Sequence, residues 1–257
     1  MLRVDLNCDI GESFGAWTMG ADAAILPHVT SVNIACGFHA GDPSVMRATA
    51  DAAAVLGLAI GAHPGLPDLI GFGRRTMSVS AADAYDMVVY QVGAMAAVAR
   101  AAGTTLRHVK PHGALYNMAA AQPALADAIA RAVRDVDAAL ILVGLSGSAS
   151  INAGTQHGLR TAREVFADRN YRADGSLVPR SSPDALITDV DLAVSRALRM
   201  VRTCRVFATD GTEIAVVADT ICIHGDAPGA AAFAQHIRSA LHADGIAVLA
   251  PGDDTHT

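Results

Sequence analysis

Short β-rich segments alternate with alanine-rich helical ones along the whole chain, which predicts a single-domain α/β fold, an irregular TIM-like (β/α) barrel of about seven parallel strands. Three observations carry this reading. The alternation runs from end to end, as parallel strands joined by right-handed crossovers require. The 257 residues match the roughly 250 that one barrel uses. No Gly-rich fingerprint of a dinucleotide-binding sheet follows the first strand, so a doubly wound open sheet ranks behind the barrel. The barrel is expected over residues 1–250, followed by a polar tail, Pro251–Thr257.

Leu2–Cys8 and Val29–Ala35 read as the first two strands. Pro43–Leu56 is a helix, with Asp42 as N-cap and Pro43 at its first position. Leu58–His63 is the third strand. Ser80–Ala102 is a long helix, with Asp83 placed to complete a capping box and Gly103 at its stop. Leu106–His112 is the fourth strand, and Gln122–Val136 a helix opened by Pro123. Leu140–Val143 and Leu159–Phe166 are strands, and Leu186–Thr203 is a helix. Arg205–Thr209 and Glu213–Val217, joined around Asp210-Gly211, form a hairpin. Thr220–His224 is the seventh core strand, followed by a helix near Gly229–His242. Ile246–Leu249 closes or flanks the sheet.

Composition narrows the function. Hydrophobic residues make up 52% and charged residues 17%, which excludes a disordered chain. A net charge of −6 with no basic run argues against nucleic acid, and 4% aromatics against stacking on single strands. The mean hydropathy of +0.33 comes largely from alanine. Apolar stretches such as Ala52–Ala62 fall short of the roughly 18–20 residues of a membrane span. Asp5, Asp9 and Glu12 interrupt any signal-peptide core, so a cytoplasmic protein is expected. Cys8, Cys36, Cys204 and Cys222 form no CxxC pair and read as reduced thiols. Lys110 is the sole lysine, and Glu12, Glu164 and Glu213 are the only glutamates, so each persists against a background of arginine and aspartate.

Polar residues gather where the strands end, and in (β/α) barrels that edge holds the active site. Alternation along each strand places Asp5 with Asn7, and His108 with Lys110 and His112, on the face opposite the apolar residues. Asp5, Glu12, His39, His63, Lys110 and His112 are the candidate catalytic residues. Asn7, Asn33, Arg74, Asp168, Arg169, His224 and Asp226 are the candidate substrate-binding residues. This set suits hydrolysis at a carbonyl or amide, where a carboxylate or histidine activates water and a cation steadies the oxyanion. His39 and His63 with Asp5 or Asp9 also suit a divalent metal, and the sequence leaves that choice open. There is no HExxH, no P-loop and no GxSxG elbow.

Eight motifs resemble one family: DLNCDIGE (Asp5–Glu12), NIACGFHAGDP (Asn33–Pro43), GAHPG (Gly61–Gly65), GFGRR (Gly71–Arg75), VKPHGALYN (Val109–Asn117), EVFADRNY (Glu164–Tyr171), LVPR (Leu177–Arg180) and CIHGD (Cys222–Asp226). They are similar to those of the LamB/YcsF family over about residues 2–250. The resemblance implies an irregular barrel like that of polysaccharide deacetylases. It implies ATP-dependent cleavage of 5-oxo-L-proline to L-glutamate, with Mg2+ accompanying ATP and two partner subunits, B and C. A homo-oligomer stays open. The family has also been placed in carbohydrate metabolism and lactam utilisation. With no nucleotide motif in this chain, ATP handling is expected to fall largely to the partners.

Overall fold

The computed structural model describes residues 2–224 and 229–253, and only the backbone of His224. In chain order the elements are β1 (Arg3–Ile10), α1 (Asp22–Ile25), β2 (Ser31–Ala35), α2 (Pro43–Val55), β3 (Ala59–His63) and α3 (Ala81–Ala101). Then follow β4 (Leu106–Val109), α4 (Gly113–Ala121), α5 (Pro123–Val136), β5 (Ile141–Leu145), α6 (Ala149–Gln156) and β6 (Arg160–Phe166). The chain continues with α7 (Val190–Thr203), β7 (Arg205–Phe207), β8 (Glu213–Ala215), β9 (Thr220–His224), α8 (Ala230–Ala243) and β10 (Ala247–Val248).

Strands β1–β6 and β9 pair in that order, all parallel, and β9 returns to β1, so seven strands close a barrel as the sequence predicts. β1 is long enough to serve two neighbours. From Asp5 onward it pairs with β9, while Arg3 and Val4 pair with β10, which flanks the barrel at its amino end. β7 and β8 form the expected antiparallel hairpin, a separate two-stranded sheet.

Strand alternation sorts the side chains. Val4, Leu6, Cys8 and Ile10 of β1, Val32 and Ile34 of β2, and Ile221 and Ile223 of β9 are buried in one apolar cluster with the helices. The other face of these strands, with His108 of β4 and Glu164 of β6, lines the barrel interior with Asp5, Asn7, Ser31, Asn33 and Thr220, all buried. Helix starts match their caps. Asp42 accepts hydrogen bonds from the Ser44 and Val45 amides at α2, and Ser80 and Asp83 complete a capping box at α3.

Three helices depart from the sequence expectation. α4 starts at Gly113 with φ +52°, and its run of alanine, leucine and tyrosine shows no polar face to betray a helical period. α6 is eight residues long and contains Asn152 and Gly154, both weak helix formers. α1 is a single four-residue turn. The fourth strand stops at Val109, so Lys110 and His112 stand on the turn beyond it, His112 at the N-cap position of α4.

Candidate active site at the carboxyl ends of the strands

β1 runs into Glu12, the turn after β2 carries His39, β3 ends on His63, and the turn after β4 supplies Lys110 and His112. Together with Asp9 and Glu164 they form two adjoining groups.

The first group centres on Lys110. Its ammonium lies 2.9 Å from Asp9 Oδ1 and 2.8 Å from Glu164 Oε1, and donates to Asn7 Oδ1 at 3.2 Å and Cys222 Sγ at 3.1 Å. Burial opposes the charged ammonium, but Asp9, Cys222 and Glu164 prevail and hold its pKa well above the usual lysine range. Amides knit the surroundings. Asn7 Nδ2 donates to Glu164 Oε1 at 3.0 Å and to Thr220 Oγ1 at 2.6 Å. Asn33 Nδ2 donates at 2.8 Å to both Asn7 Oδ1 and Asp9 Oδ1. His108 Nε2 donates to Asn33 Oδ1 at 2.8 Å, and burial, aided by Lys110, lowers its pKa to about 3, so the ring is neutral. Gly61 makes room for that ring, since a Cβ there would overlap the imidazole.

The second group is Glu12, His39, His63 and His112, all buried, with one donor atom from each lying within 4.8 Å of the others. These four could hold a metal ion. His63 Nδ1 meets the Lys110 carbonyl at 2.7 Å, and His112 Nε2 meets the Phe72 carbonyl at 2.8 Å. The remaining nitrogens, His63 Nε2 and His112 Nδ1, face each other at 2.9 Å. Glu12 Oε1 is 3.5 Å from His112 Nδ1 and 3.6 Å from His39 Nε2. The His39 and His112 rings stack, with centroids 3.6 Å apart and planes 4° from parallel. Burial, reinforced by the neighbouring histidines, pushes the pKa of both well below the usual histidine range. Gly73, at φ +61°, lets the chain cross this stack, because a Cβ would come within 2.7 Å of His39 Cβ and 2.8 Å of His112 Cδ2. Asp9 joins the groups: its Oδ2 is 3.3 Å from His63 Nε2, and it is less deeply buried than its partners.

Of the residues expected from sequence, Glu12, His39, His63 and His112 come together, and Lys110, Asn7 and Asn33 form the adjoining network. Arg74 is exposed, its guanidinium 4.7 Å above the Phe72 ring that covers the histidines. Asp5 does not join the carboxyl-end groups. It lies toward the amino end, accepting from Thr30 and Ser31 at 2.7 and 2.8 Å and from Thr220. Burial raises its pKa from 3.8 to about 6 against those hydrogen bonds. Arg169 is buried and bonded to the Val178 and Ala185 carbonyls, and burial lowers its pKa to about 10. Asp168 follows β6, and its backbone carbonyl accepts from the Ile187 amide, fastening the same loop. His224 pairs through its backbone with Asp9, and Asp226 lies outside the described residues.

Glu164, Cys222 and Thr220 were not among the expected site residues; Asp9 was expected only as an alternative metal ligand, and His108 only as sharing a strand face with Lys110. Asp9 shares strand parity with Asp5 and Asn7, and Glu164 is one of three glutamates, so both signals were present in the sequence.

The model of the LamB/YcsF family matches residues 4–255. The chain belongs to this family. Among LamB/YcsF relatives, a Tolumonas auensis protein named as the A subunit of 5-oxoprolinase is 63% identical over 250 residues, covering 97% of this chain and all of the relative. A Bacillus subtilis protein of the same name is 56% identical over 257 residues, with both chains covered in full. The crystal structure of a lactam utilization protein from Thermus thermophilus superposes with a TM-score of 0.91 at 48% identity, covering 97% of this chain and all of that one. No described helix is long and apolar enough to cross a membrane.

Proposed function

We propose that this chain is the A subunit of an ATP-dependent 5-oxoprolinase and that it holds the site where the lactam ring opens. The observation that carries the reading is the Asp9–Lys110–Glu164 arrangement beside the Glu12–histidine group, at the strand ends of a chain 63% identical to a protein of that name.

A five-membered lactam is an unstrained, resonance-stabilised amide and a poor electrophile. Phosphoryl transfer from ATP to its carbonyl oxygen makes the ring carbon attackable. Water then adds its oxygen to that carbon and gives up a proton to a base. The carbon–nitrogen bond breaks as the nitrogen takes a proton, leaving glutamyl phosphate. A second water hydrolyses this to glutamate and phosphate, so each turnover consumes one ATP and two waters.

Asp9 is assigned as the base: its side chain is the most exposed of the site's three carboxylates, 11% against 8% for Glu12 and 0% for Glu164, and Lys110 and Asn33 fix its orientation. Lys110, buried and already engaged by two carboxylates, an amide and a thiol, acts by positioning Asp9 rather than by touching substrate. Exposed Arg74 is suited to the substrate carboxylate. ATP and its Mg2+ are assigned to the partners B and C, since this chain has no phosphate-cradling Gly loop followed by lysine. The test is to mix the chain with B and C and follow glutamate release from 5-oxoproline. The mixture with ATP is expected to turn over, and the chain alone, or B with C alone, to be inactive. Full turnover by either part alone overturns the assignment.

A further inference from the structure

Two of the site's imidazoles face each other in a way that two neutral rings cannot sustain. A backbone carbonyl only accepts hydrogen bonds, so His63 Nδ1, at 2.7 Å from the Lys110 carbonyl, carries a hydrogen. For the same reason His112 Nε2, at 2.8 Å from the Phe72 carbonyl, carries one. Each neutral ring then has a lone pair on its other nitrogen. Those two nitrogens, His63 Nε2 and His112 Nδ1, point at each other across 2.9 Å. Something positive must lie between them, either a shared proton or a metal ion.

The surroundings favour the ion. His39 Nε2 and Nδ1 are both buried with no hydrogen-bond partner, and such atoms in a folded protein call for a ligand. Glu12 Oε1 closes the group at 3.5–3.6 Å from His112 Nδ1 and His39 Nε2. Histidine ligands of metals almost always donate their second ring N–H to a carbonyl or carboxylate, the arrangement seen at His63 and His112. Metal–nitrogen bonds of about 2.0–2.1 Å at angles near 90–109° separate two donors by roughly 2.9–3.4 Å. Two donors across one ion span up to about 4.2 Å. The four donors here lie within 4.8 Å of one another, slightly beyond that span, so the ion draws them inward and the stacked His39 and His112 rings tilt to share it.

We propose that Glu12, His39, His63 and His112 bind one divalent ion of the zinc, cobalt or nickel class, distinct from the Mg2+ that accompanies ATP. Three imidazole nitrogens and one carboxylate oxygen suit those borderline ions, whereas Mg2+ prefers an all-oxygen shell. Asp9 Oδ2, 3.3 Å from His63 Nε2, borders this group of ligands.

Metal content, not turnover, is the readout, so failure here and failure of the lactam reading are distinguishable. The purified chain, stripped with chelator, is dialysed against Zn2+ or Co2+ in excess Mg2+, and bound metal and the Co2+ visible spectrum are recorded. One ion per chain is expected, with an intense visible band typical of a low-coordinate nitrogen-rich site. His63→Ala and His112→Gln should each weaken binding by at least about 100-fold, at the upper end of what loss of outer-shell support alone produces. Cys204→Ser, at the exposed cysteine, should leave binding unchanged. Circular dichroism of the two histidine variants checks that they fold; if one does not, the other and the wild-type spectrum still decide. No stoichiometric metal overturns the proposal in favour of a shared proton; metal displaced by Mg2+ overturns the ion class, and binding that survives both histidine changes overturns the site.

Discussion

Replacing Lys110 by methionine should do two things at once. The ammonium stands between Asp9 and Glu164, at 2.9 and 2.8 Å, and is 2% exposed. Methionine fills most of the volume but leaves two carboxylates without their cation. Breaking one buried ion pair costs about 3–5 kcal/mol, and with two carboxylates stranded the upper figure applies. For a chain of this size each kcal/mol lowers Tm by roughly 2–4 °C, so a drop of about 10–20 °C is expected near neutral pH. Protons neutralise the stranded carboxylates in acid, so the deficit should be largest near about pH 8 and should shrink near about pH 5. Turnover in the assembled enzyme should fall about 100-fold or more, because Asp9 loses its orientation. Lys110→Arg should not restore it, since a planar fork does not reproduce a compact ammonium. Differential scanning calorimetry at the two pH values, with glutamate release on the same samples, measures both effects. A Tm within about 2 °C of wild type, or a deficit that ignores pH, would refute the charge-pairing argument.

Asp5, raised from 3.8 to about 6, binds its proton more tightly folded than unfolded. Its contribution is therefore full below about pH 4 and is lost as pH rises through about 6, a swing of about 3 kcal/mol. Asp5→Asn should remove that swing, read as the wild-type-minus-variant difference in urea unfolding across pH; identical profiles would contradict it. Gly61→Ala should lower stability by about 1–3 kcal/mol, because the new methyl displaces the His108 ring and hence Asn33. A Tm equal to wild type would show that the barrel interior has slack there. Arg74→Ala should raise KM for 5-oxoproline about tenfold through loss of a charge-assisted contact, with Tm unchanged because the side chain is exposed. An unaltered KM would exclude it from substrate binding.

The barrel was legible because its determinants are local. Period-two apolar runs ending in Gly-rich polar turns mark each core strand, and Asp42, Ser80 and Pro123 mark helix starts. α4 escaped because its sequence is almost wholly apolar and it begins at a glycine with no side-chain cap, so neither periodicity nor cap announced it. The site was legible one side chain at a time. That His63 and His112 would meet nitrogen to nitrogen depends on the relative heights of β3 and the turn after β4, and sequence carries no such information. Asp5 shows the limit of parity, which gives the face of a strand but not the end of the barrel. It lies two positions before Asn7, and that step is enough to leave Asp5 among Thr30, Ser31 and Thr220 while Asn7 reaches Lys110.

Ring opening at the strand ends of this chain, with Asp9 acting on water, stands or falls on one variant. The quantity to measure is glutamate released per assembled complex by Asp9→Asn, with co-elution alongside B and C recorded on the same preparation. Asparagine keeps the shape and an oxygen for Lys110 but cannot take a proton. Assembly is expected to be intact and release lowered about 100-fold or more, the scale of a lost general base. Wild-type release from a correctly assembled Asp9→Asn complex would contradict this placement of the chemistry.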